Sequence, residues 1–287
     1  TPAQVDDDFG VYIHVPFCRA RCHFCAFYLQ IYQADGPHAY VESLLREIRL
    51  HAEQHTLQGV ALDSVYFGGG TPTMLQPDQL AQIVQWISDH FGIRPHAEIT
   101  VEAHPETVTA ESLAALRQAG FNRVSFGVQS MSVEELAQAG RPTSPDAGRT
   151  AAYGARAAGF ENINLDLIYG LPGQTPESWR RTLDETLELD PAHVSCYALT
   201  VEDGTRLQRD LLTGRQAEPD VALQLAMEQA AERHLAAAGF QHYEISNFCR
   251  PGYACRHNLL YWAGGEYLGL GPSAPSHSSC ISVREVE

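Results

Sequence analysis

The sequence contains no lysine; all nineteen basic residues are arginine. Chemistry that runs through a lysine amine, whether a Schiff base or a phosphate-gripping loop lysine, is thereby excluded, and genome composition is the plainer source of the bias. Positive charge is scarce altogether. Against 35 acidic residues the 19 basic ones leave a formal charge of −16 with no basic cluster to offset it, which excludes the nucleic-acid backbone as a main partner. Long apolar runs are missing as well. No stretch approaches the ~18 uninterrupted apolar residues of a membrane span, and the opening TPAQVDDDFG has neither the basic start nor the apolar run of a secretion signal. Cysteine is limited to seven residues without framework spacing: Cys18, Cys22 and Cys25 stand close together, while Cys196, Cys249, Cys255 and Cys280 are scattered. An odd group of three thiols does not pair off, so a secreted disulfide scaffold is disfavoured and a reducing cytoplasm is the expected compartment.

With 287 residues, 44% of them apolar, the chain can bury a full core as one large domain or as a domain with an appendage. β-Branched and aromatic runs alternate along it with amphipathic stretches. VYIHV (11–15), DSVYFGG (63–69), EITVEA (98–103), RVSFGVQ (123–129), NINLDLIYG (162–170) and HVSCYAL (193–199) read as strands. Residues 38–56, 77–91, 110–119, 145–158 and 176–188 read as helices, several closed by glycine as in LRQAGF and ARAAGF. Such alternation predicts a parallel sheet curled into a partial barrel, with functional groups at the carboxyl ends of the strands. The expected organisation is a flexible lead-in over 1–10, a barrel core over 11–215 and a C-terminal extension over 216–287. In the extension a helix near 219–238 is a packing element whose Met227 and His234 need no ligand role. A chain that starts without Met and stops soon after GPSAPSH is open to being incomplete at either end.

Unusual residues fall where that architecture puts function. The cysteine loop FCRARCHFCAF (17–27) follows the first strand and GGGTPT (68–73) the second; Glu102 stands in the third, Gln129 ends the fourth, and Asp166 precedes YGLPGQT in the fifth. Any one of these reads equally well as turn chemistry or as a satisfied strand carboxylate, but their recurrence at one end of successive strands is harder to dismiss. Thiolates select zinc or iron–sulfur. A structural zinc site needs a fourth ligand, for which only His23 is at hand. Three thiolates on a four-iron cluster leave one iron open to a non-protein ligand, which suggests a cluster that does chemistry.

The spacing C-x3-C-x2-C, with an aromatic before the third cysteine and GGGTP after the second strand, resembles the radical S-adenosylmethionine (SAM) superfamily. YIHVPFC, VYFGGGTPT, ITVEAHPE, RVSFGVQS, NLDLIYGLPGQT and HYEISNFCRPGYACRHNLLYW extend the resemblance, from about residue 9 to about residue 276, to the branch that holds oxygen-independent coproporphyrinogen III oxidases and heme chaperones. The resemblance implies an α/β fold, a partial (β/α)6 TIM-like barrel with a C-terminal α/β extension cut short relative to longer relatives. It implies a [4Fe–4S] cluster on Cys18, Cys22 and Cys25 whose open iron chelates SAM, and cleavage of SAM to a 5′-deoxyadenosyl radical. Carried over by motif, Tyr12 and Phe24 would line the methionyl and adenine region. Gly69, Gly70 and Thr71 would meet the SAM amino group, Glu102 and Gln129 the ribose and amino acid, Arg141 the carboxylate and Asp166 the ribose, while the Ala198 backbone would pass close to adenine. Arg141 in AGRPTS also reads as a helix-end cap.

Two local features place the chain within the branch. Its oxidases resemble C-x3-C-x2-C-x-C; here the extra position is Phe27, and CAF is nearer the CDF of the chaperones, although Ala26 and the following YLQ depart from it. HNLLYW (257–262) fits the chaperones' H-N-x-x-Y-W signature, which makes His257 the expected heme ligand, an exposed axial imidazole flanked by aromatics; outside that signature such a His reads as part of a packed core cluster. Cys249 and Cys255 read as buried small hydrophobes or as participants in heme capture, and Pro275 stands where the family tends to carry His. The resemblance thus implies a cytoplasmic heme chaperone that binds the cluster, SAM and heme and hands heme to an apo-hemoprotein. A reduced flavodoxin- or ferredoxin-type electron donor and a homodimer belong to the same expectation. The alternatives are the oxidase, which decarboxylates coproporphyrinogen III, then an anaerobic heme-degrading radical SAM methyltransferase, and last a zinc-binding scaffold without catalysis.

Overall fold

Period-two alternation decides which face of each strand meets the helices. In β1 (Phe9–Val15), Val11, Ile13 and Val15 are fully buried under the helical layer, and Gly10, Tyr12 and His14 take the opposite face. The computed structural model describes residues 8–53, 59–141 and 143–278. After β1 come β2 (Phe17–Cys18) and β3 (Gln30–Ile31), which pair with each other, then α1 (Gly36–Ala52), β4 (Leu62–Gly69), α2 (Pro77–Phe91), β5 (Ile93–Ala103), α3 (Ala110–Gln118), β6 (Arg123–Gln129), α4 (Val133–Gln138) and α5 (Pro145–Ala157). The chain continues through β7 (Asn162–Tyr169), α6 (Pro176–Glu188), β8 (His193–Ala198), α7 (Arg206–Leu212), α8 (Val221–Ala237), β9 (Gln241–His242), β10 (Asn247–Cys249), α9 (Arg256–Trp262) and β11 (Glu266–Leu270). Proline opens the first turn of α1, α2, α5 and α6, where its missing N–H costs nothing. Reciprocal capping boxes, Thr109 with Ser112 and Thr175 with Ser178, fix the starts of α3 and α6.

The main sheet has nine strands in the order β11-β1-β4-β5-β6-β7-β8-β10-β9. Neighbours from β11 to β8 are parallel, and β10 runs antiparallel to both β8 and β9. The partial α/β barrel expected from the alternation is therefore present, with one strand added beyond β1 and two beyond β8. Residues beyond 216 share this sheet and its core: β10 and β11 extend it, and Met227, Ala231 and Leu235 of α8 join the apolar cluster that also contains Val11 and Trp179. Most of the lead-in expected over 1–10, together with Cys280, lies outside the described residues, and Phe9 and Gly10 already belong to β1.

The inner face of the curl is polar. Asn164 donates to Ser125 Oγ (2.7 Å) and Ser195 Oγ (3.1 Å), and its own carbonyl oxygen lies 2.6 Å from His193 Nδ1. A row of hydrogen bonds thus ties β6, β7 and β8 together across neighbouring registers and leaves the apolar side chains to the helices. At the amino ends of the strands the segment leading into α9 closes this interior: the Arg256 amide donates to Glu98 Oε1 at 3.0 Å and the Cys255 thiol lies 3.3 Å from the same oxygen.

YGLPGQT, which follows β7, is pinned by a buried carboxylate. Glu135, 3% exposed, accepts from Ser130 Oγ (2.5 Å), Ser178 Oγ (2.5 Å) and Gln174 Nε2 (2.9 Å), while Gln174 Oε1 accepts the Gly170 amide at 2.7 Å. Glu135→Ala removes the acceptor of two buried donors, Ser130 and Gln174, and of the half-buried Ser178, and is expected to destabilise the fold by about 3 kcal/mol. A urea titration checks this, and an unchanged midpoint would contradict it.

Candidate functional site

A cavity of about 690 Å³ opens at the carboxyl ends of the strands, and its wall takes Gly69 from β4, Glu102 from β5, Gly127 and Gln129 from β6, Asp166 from β7 and Ala198 from β8. A flat sheet could not bring five strands to one cavity; the curl does. Cys18, Cys22 and Cys25 line the same space, each a free, half-buried thiol. The loop that carries them is tied down without using their sulfurs. His23 N donates to Ala139 O (2.9 Å), Leu207 N donates to His23 O (2.8 Å), and Arg21 Nη1 donates to the carbonyls of Cys25 (3.2 Å) and Phe27 (3.3 Å).

Two neighbours tune the sulfurs. Thr71 Oγ1 lies 3.5 Å from Cys18 Sγ, and Arg141 Nη1 donates to Cys22 Sγ at 3.5 Å. Burial pushes the Cys18 and Cys25 thiols above their ordinary value, and Arg141 works in the opposite sense. A group that keeps all three as thiolates must therefore bring positive charge of its own. Among the described residues no three His, Cys, Asp or Glu side chains converge closely enough for a single ion. His23 takes no part in the wall: its Nδ1 lies 3.1 Å from the Gln138 carbonyl. Three soft donors around a roomy cavity, without a fourth, fit a multi-iron cluster better than zinc.

The residues expected around SAM are almost all brought together. Phe24, Gly69, Gly70, Thr71, Glu102, Gln129, Arg141, Asp166 and Ala198 line the cavity. Gln129 stands at φ 72°, in the left-handed region, where a bulge interrupts the β6–β7 register; this strained position turns the end of β6 toward the cavity. Arg141 Nη2 also donates to the Gly127 carbonyl, and a Cβ at Gly127 would lie 2.9 Å from that nitrogen, so the glycine makes room for the guanidinium. Asp166 accepts from Ser125 Oγ and Asn164 Nδ2, both at 2.8 Å. Tyr66 donates to Glu102 Oε1 at 2.7 Å. Burial first, and the Asp166 charge second, push the Glu102 carboxyl up to about 7.

Gly70 is fixed by backbone crowding, because a Cβ there would lie 2.8 Å from the Phe17 carbonyl oxygen and 2.9 Å from the Pro16 carbonyl carbon. Gly70→Ala is expected to cost about 1–3 kcal/mol by overpacking and to displace the strand that delivers Cys18. Reduced iron loading together with a lower denaturation midpoint checks this, and wild-type values in both would contradict it.

One expectation needs correction, and Tyr12 is found beside the thiol-lined cavity rather than on its wall. Its ring lies against Tyr66 (centroids 6.1 Å) and His257 (6.2 Å) and lines a second cavity beside the first. His257 is not the exposed imidazole its motif suggests: it is 1% exposed, and its ring lies 5.2 Å from Tyr66 in a stacked pair. Its Nδ1 lies 2.8 Å from Ser64 Oγ and its Nε2 3.0 Å from Tyr261 Oη. Burial pulls its pKa down to about 3, so the ring is neutral with both nitrogens engaged. The sequence pattern carried the aromatic neighbours of His257 but not the depth to which α9 enters the curl. Cys249 and Cys255 are buried. Sequence reasoning also missed Tyr197 and His104 in the cavity wall. Tyr197 was accessible through its two-residue offset from Ser195 on β8; His104, whose pKa burial pulls down to about 3 with Arg141 and Arg19 adding to it, carried no signal beyond following β5.

Comparison with known proteins agrees with this geometry. Residues 12–186 match the radical SAM superfamily. A heme chaperone HemW from Mycobacterium tuberculosis (strain CDC 1551 / Oshkosh) is 43% identical over 269 residues, which span 93% of this chain and 68% of that protein. HemW from Escherichia coli (strain K12) is 38% identical over 269 residues, 92% of this chain and 69% of its own length. Among solved structures, the coproporphyrinogen III oxidase HemN of Escherichia coli, a radical SAM enzyme, superposes with a TM-score of 0.82 at 28% identity, covering 96% of this chain and 66% of that one. A three-thiol cavity at the carboxyl ends of a partial barrel, a superfamily match through most of that barrel and this degree of identity lead to one assignment: the chain belongs to the HemW family of heme chaperones, within the radical SAM superfamily.

Proposed function

We propose that this protein works as a heme chaperone, holding a [4Fe–4S] cluster on Cys18, Cys22 and Cys25, binding SAM in the thiol-lined cavity and receiving heme for delivery to an apo-hemoprotein. The observation that carries the reading is the similarity to curated heme chaperones across 93% of the chain. Bound there, the cluster supplies a reducing electron and an open coordination position for the amino and carboxylate groups of SAM. The protein's own residues do the rest. In this reading Arg141 grips the carboxylate of SAM while donating to Cys22 Sγ. Thr71 and the Gly69–Gly70 backbone face its amino group, and Glu102 and Gln129 reach the ribose and amino acid. Asp166, oriented by Ser125 and Asn164, accepts ribose hydroxyls, and Phe24 with the Ala198 backbone flanks adenine. The electron donor in this reading is a reduced flavodoxin- or ferredoxin-type protein, the working unit a homodimer and the compartment the cytoplasm. Among the described residues no helix is long and apolar enough to cross a membrane.

One observation favours a second reading, the oxidase: the fold match to HemN at a TM-score of 0.82. Against it, the position two beyond Cys25 is Phe27, 67% exposed at the edge of the cavity, where the oxidases carry a further thiol. Heme transfer tests the first reading. Anaerobically reconstituted protein, loaded with heme, desalted and mixed with a heme-free b-type cytochrome, should convert the acceptor to its holo spectrum. Heme that is never bound, or never released to the acceptor, would overturn the proposal.

A further inference from the structure

A second cavity of about 660 Å³ shares the Ala26–Phe27 segment with the thiol-lined one and lies on its other side. This volume is within the range of small-molecule and cofactor sites, about 300–1,000 Å³. Its wall is aromatic: Tyr12, Tyr28, Tyr261 and Tyr267 line it, with Tyr261 and Tyr267 in an edge-to-face pair at 4.4 Å. Phe27, 67% exposed, adds further apolar surface to its wall.

Two histidines line this cavity, and their nitrogens differ in availability. His14 is committed, with Nε2 donating to the Tyr28 carbonyl at 2.8 Å and Nδ1 lying 3.3 Å from Tyr12 Oη. His277 is exposed, and among the described residues no hydrogen bond engages its ring. His257, sealed behind the cavity with both nitrogens taken, does not line it.

The position of His277 is built rather than incidental. Its backbone forms a two-bond bridge with Tyr267 (2.7 and 2.9 Å), and its ring lies 6.2 Å from the Tyr267 ring. Ser276 Oγ accepts the Gly269 amide at 2.9 Å. The strap that carries them folds back so tightly that a Cβ at Gly269 would lie 2.1 Å from the Pro275 carbonyl oxygen.

We infer that this cavity is the seat of the tetrapyrrole, with the macrocycle packed against Tyr261, Tyr267 and Tyr28 and its iron ligated by His277 rather than by His257. The inference rests on the heme-chaperone reading and names the ligand within it. Aromatic walls suit a flat apolar macrocycle, and an imidazole with an uncommitted nitrogen can ligate iron. A rim-exposed ligand also lets an acceptor compete for the iron, which delivery requires. In this arrangement His257 positions Tyr261, through its hydrogen bond, at the cavity wall.

The test is a heme titration of the anaerobically reconstituted full chain, followed by Soret absorbance, for wild type, His277→Ala and Ser64→Ala. The last variant loosens His257 without removing it. Wild type should show a histidine-ligated Soret band. His277→Ala should bind heme at least about tenfold more weakly, the low end of what losing a supporting contact to a metal costs, with a shifted band that added imidazole restores. Ser64→Ala should keep the wild-type band. Wild-type affinity and band in His277→Ala would overturn the inference and leave the chaperone reading standing. A wild-type protein that binds no heme would overturn the chaperone reading itself.

Discussion

Cys22→Ala should leave the protein folded and strip it of iron. The thiol is half-buried on the cavity wall, outside the apolar cluster that holds the sheet to its helices. The loop around it is fastened through the backbone of His23 and through Arg21. Removing one sulfur therefore disturbs little of what holds the fold, and the iron-free variant should match iron-free wild type within about 0.5 kcal/mol. Cluster retention should behave very differently. Changes merely adjacent to a metal's ligands cost ~10–100-fold in affinity, and the loss of one of three ligands should exceed that range. Iron per chain after desalting, read beside the thermal midpoint of the iron-free protein, separates the two effects. A variant that keeps the full iron complement would contradict the assignment of the cluster to these three residues.

Glu102→Gln should weaken SAM binding and remove its dependence on pH near neutrality. With its carboxyl pushed up to about 7 by burial and by Asp166, Glu102 is largely protonated below pH 7 and a carboxylate above it. A hydrogen bond to a charged group is worth about 1.5–3 kcal/mol against about 0.5–1.5 for a neutral pair, so wild-type affinity should rise through pH 7 and level off above. The amide variant should bind about 10–100-fold more weakly at pH 8 and give a flat profile. Stability moves the other way. The folded pKa lies above the ordinary 4.5, so the ionised carboxylate opposes folding, by nothing well below pH 4.5 and in full above about 7. Ligand-free Glu102→Gln should therefore be more stable than wild type at pH 8, with the advantage shrinking as pH falls toward 4.5. Titrating SAM by calorimetry at pH 6 and 8, with thermal midpoints at each, checks both halves. A wild-type affinity that is flat in pH would contradict the role given to Glu102.

The parallel barrel was legible because each of its strands carries its own signal. β4 and β6 begin within a residue of DSVYFGG and RVSFGVQ, and the helices between strands announce themselves by proline at the start and glycine at the end. That Gly69, Glu102, Gln129 and Asp166 would gather at one end of the sheet was legible for the same reason, since the barrel turns positions far apart in sequence into neighbours. What stayed hidden depends on contacts between distant segments. β11 is only five residues of EYLGL, and its place beside β1 is set by pairing across some 250 positions of chain. α9 is a seven-residue helix whose burial follows from Glu98 and Ser64, which its own sequence does not contain. That is why His257 could be recognised as part of a signature and still be misplaced at the surface. Tyr12 stands on the same inner face of the curl, with its ring against Tyr66 and in the wall of the adjoining cavity, a placement that follows from β1–β4 register rather than from its own motif.

The most direct test of the central claim is to give the reconstituted, dithionite-reduced protein SAM with either heme or coproporphyrinogen III and to measure adduct and product side by side. A stable heme adduct, with neither CO2 nor protoporphyrinogen formed from coproporphyrinogen, is the result expected of a chaperone with Phe27 beside its cluster thiols. Release of CO2 coupled to 5′-deoxyadenosine would contradict it and make this an oxidase that works without the additional thiol.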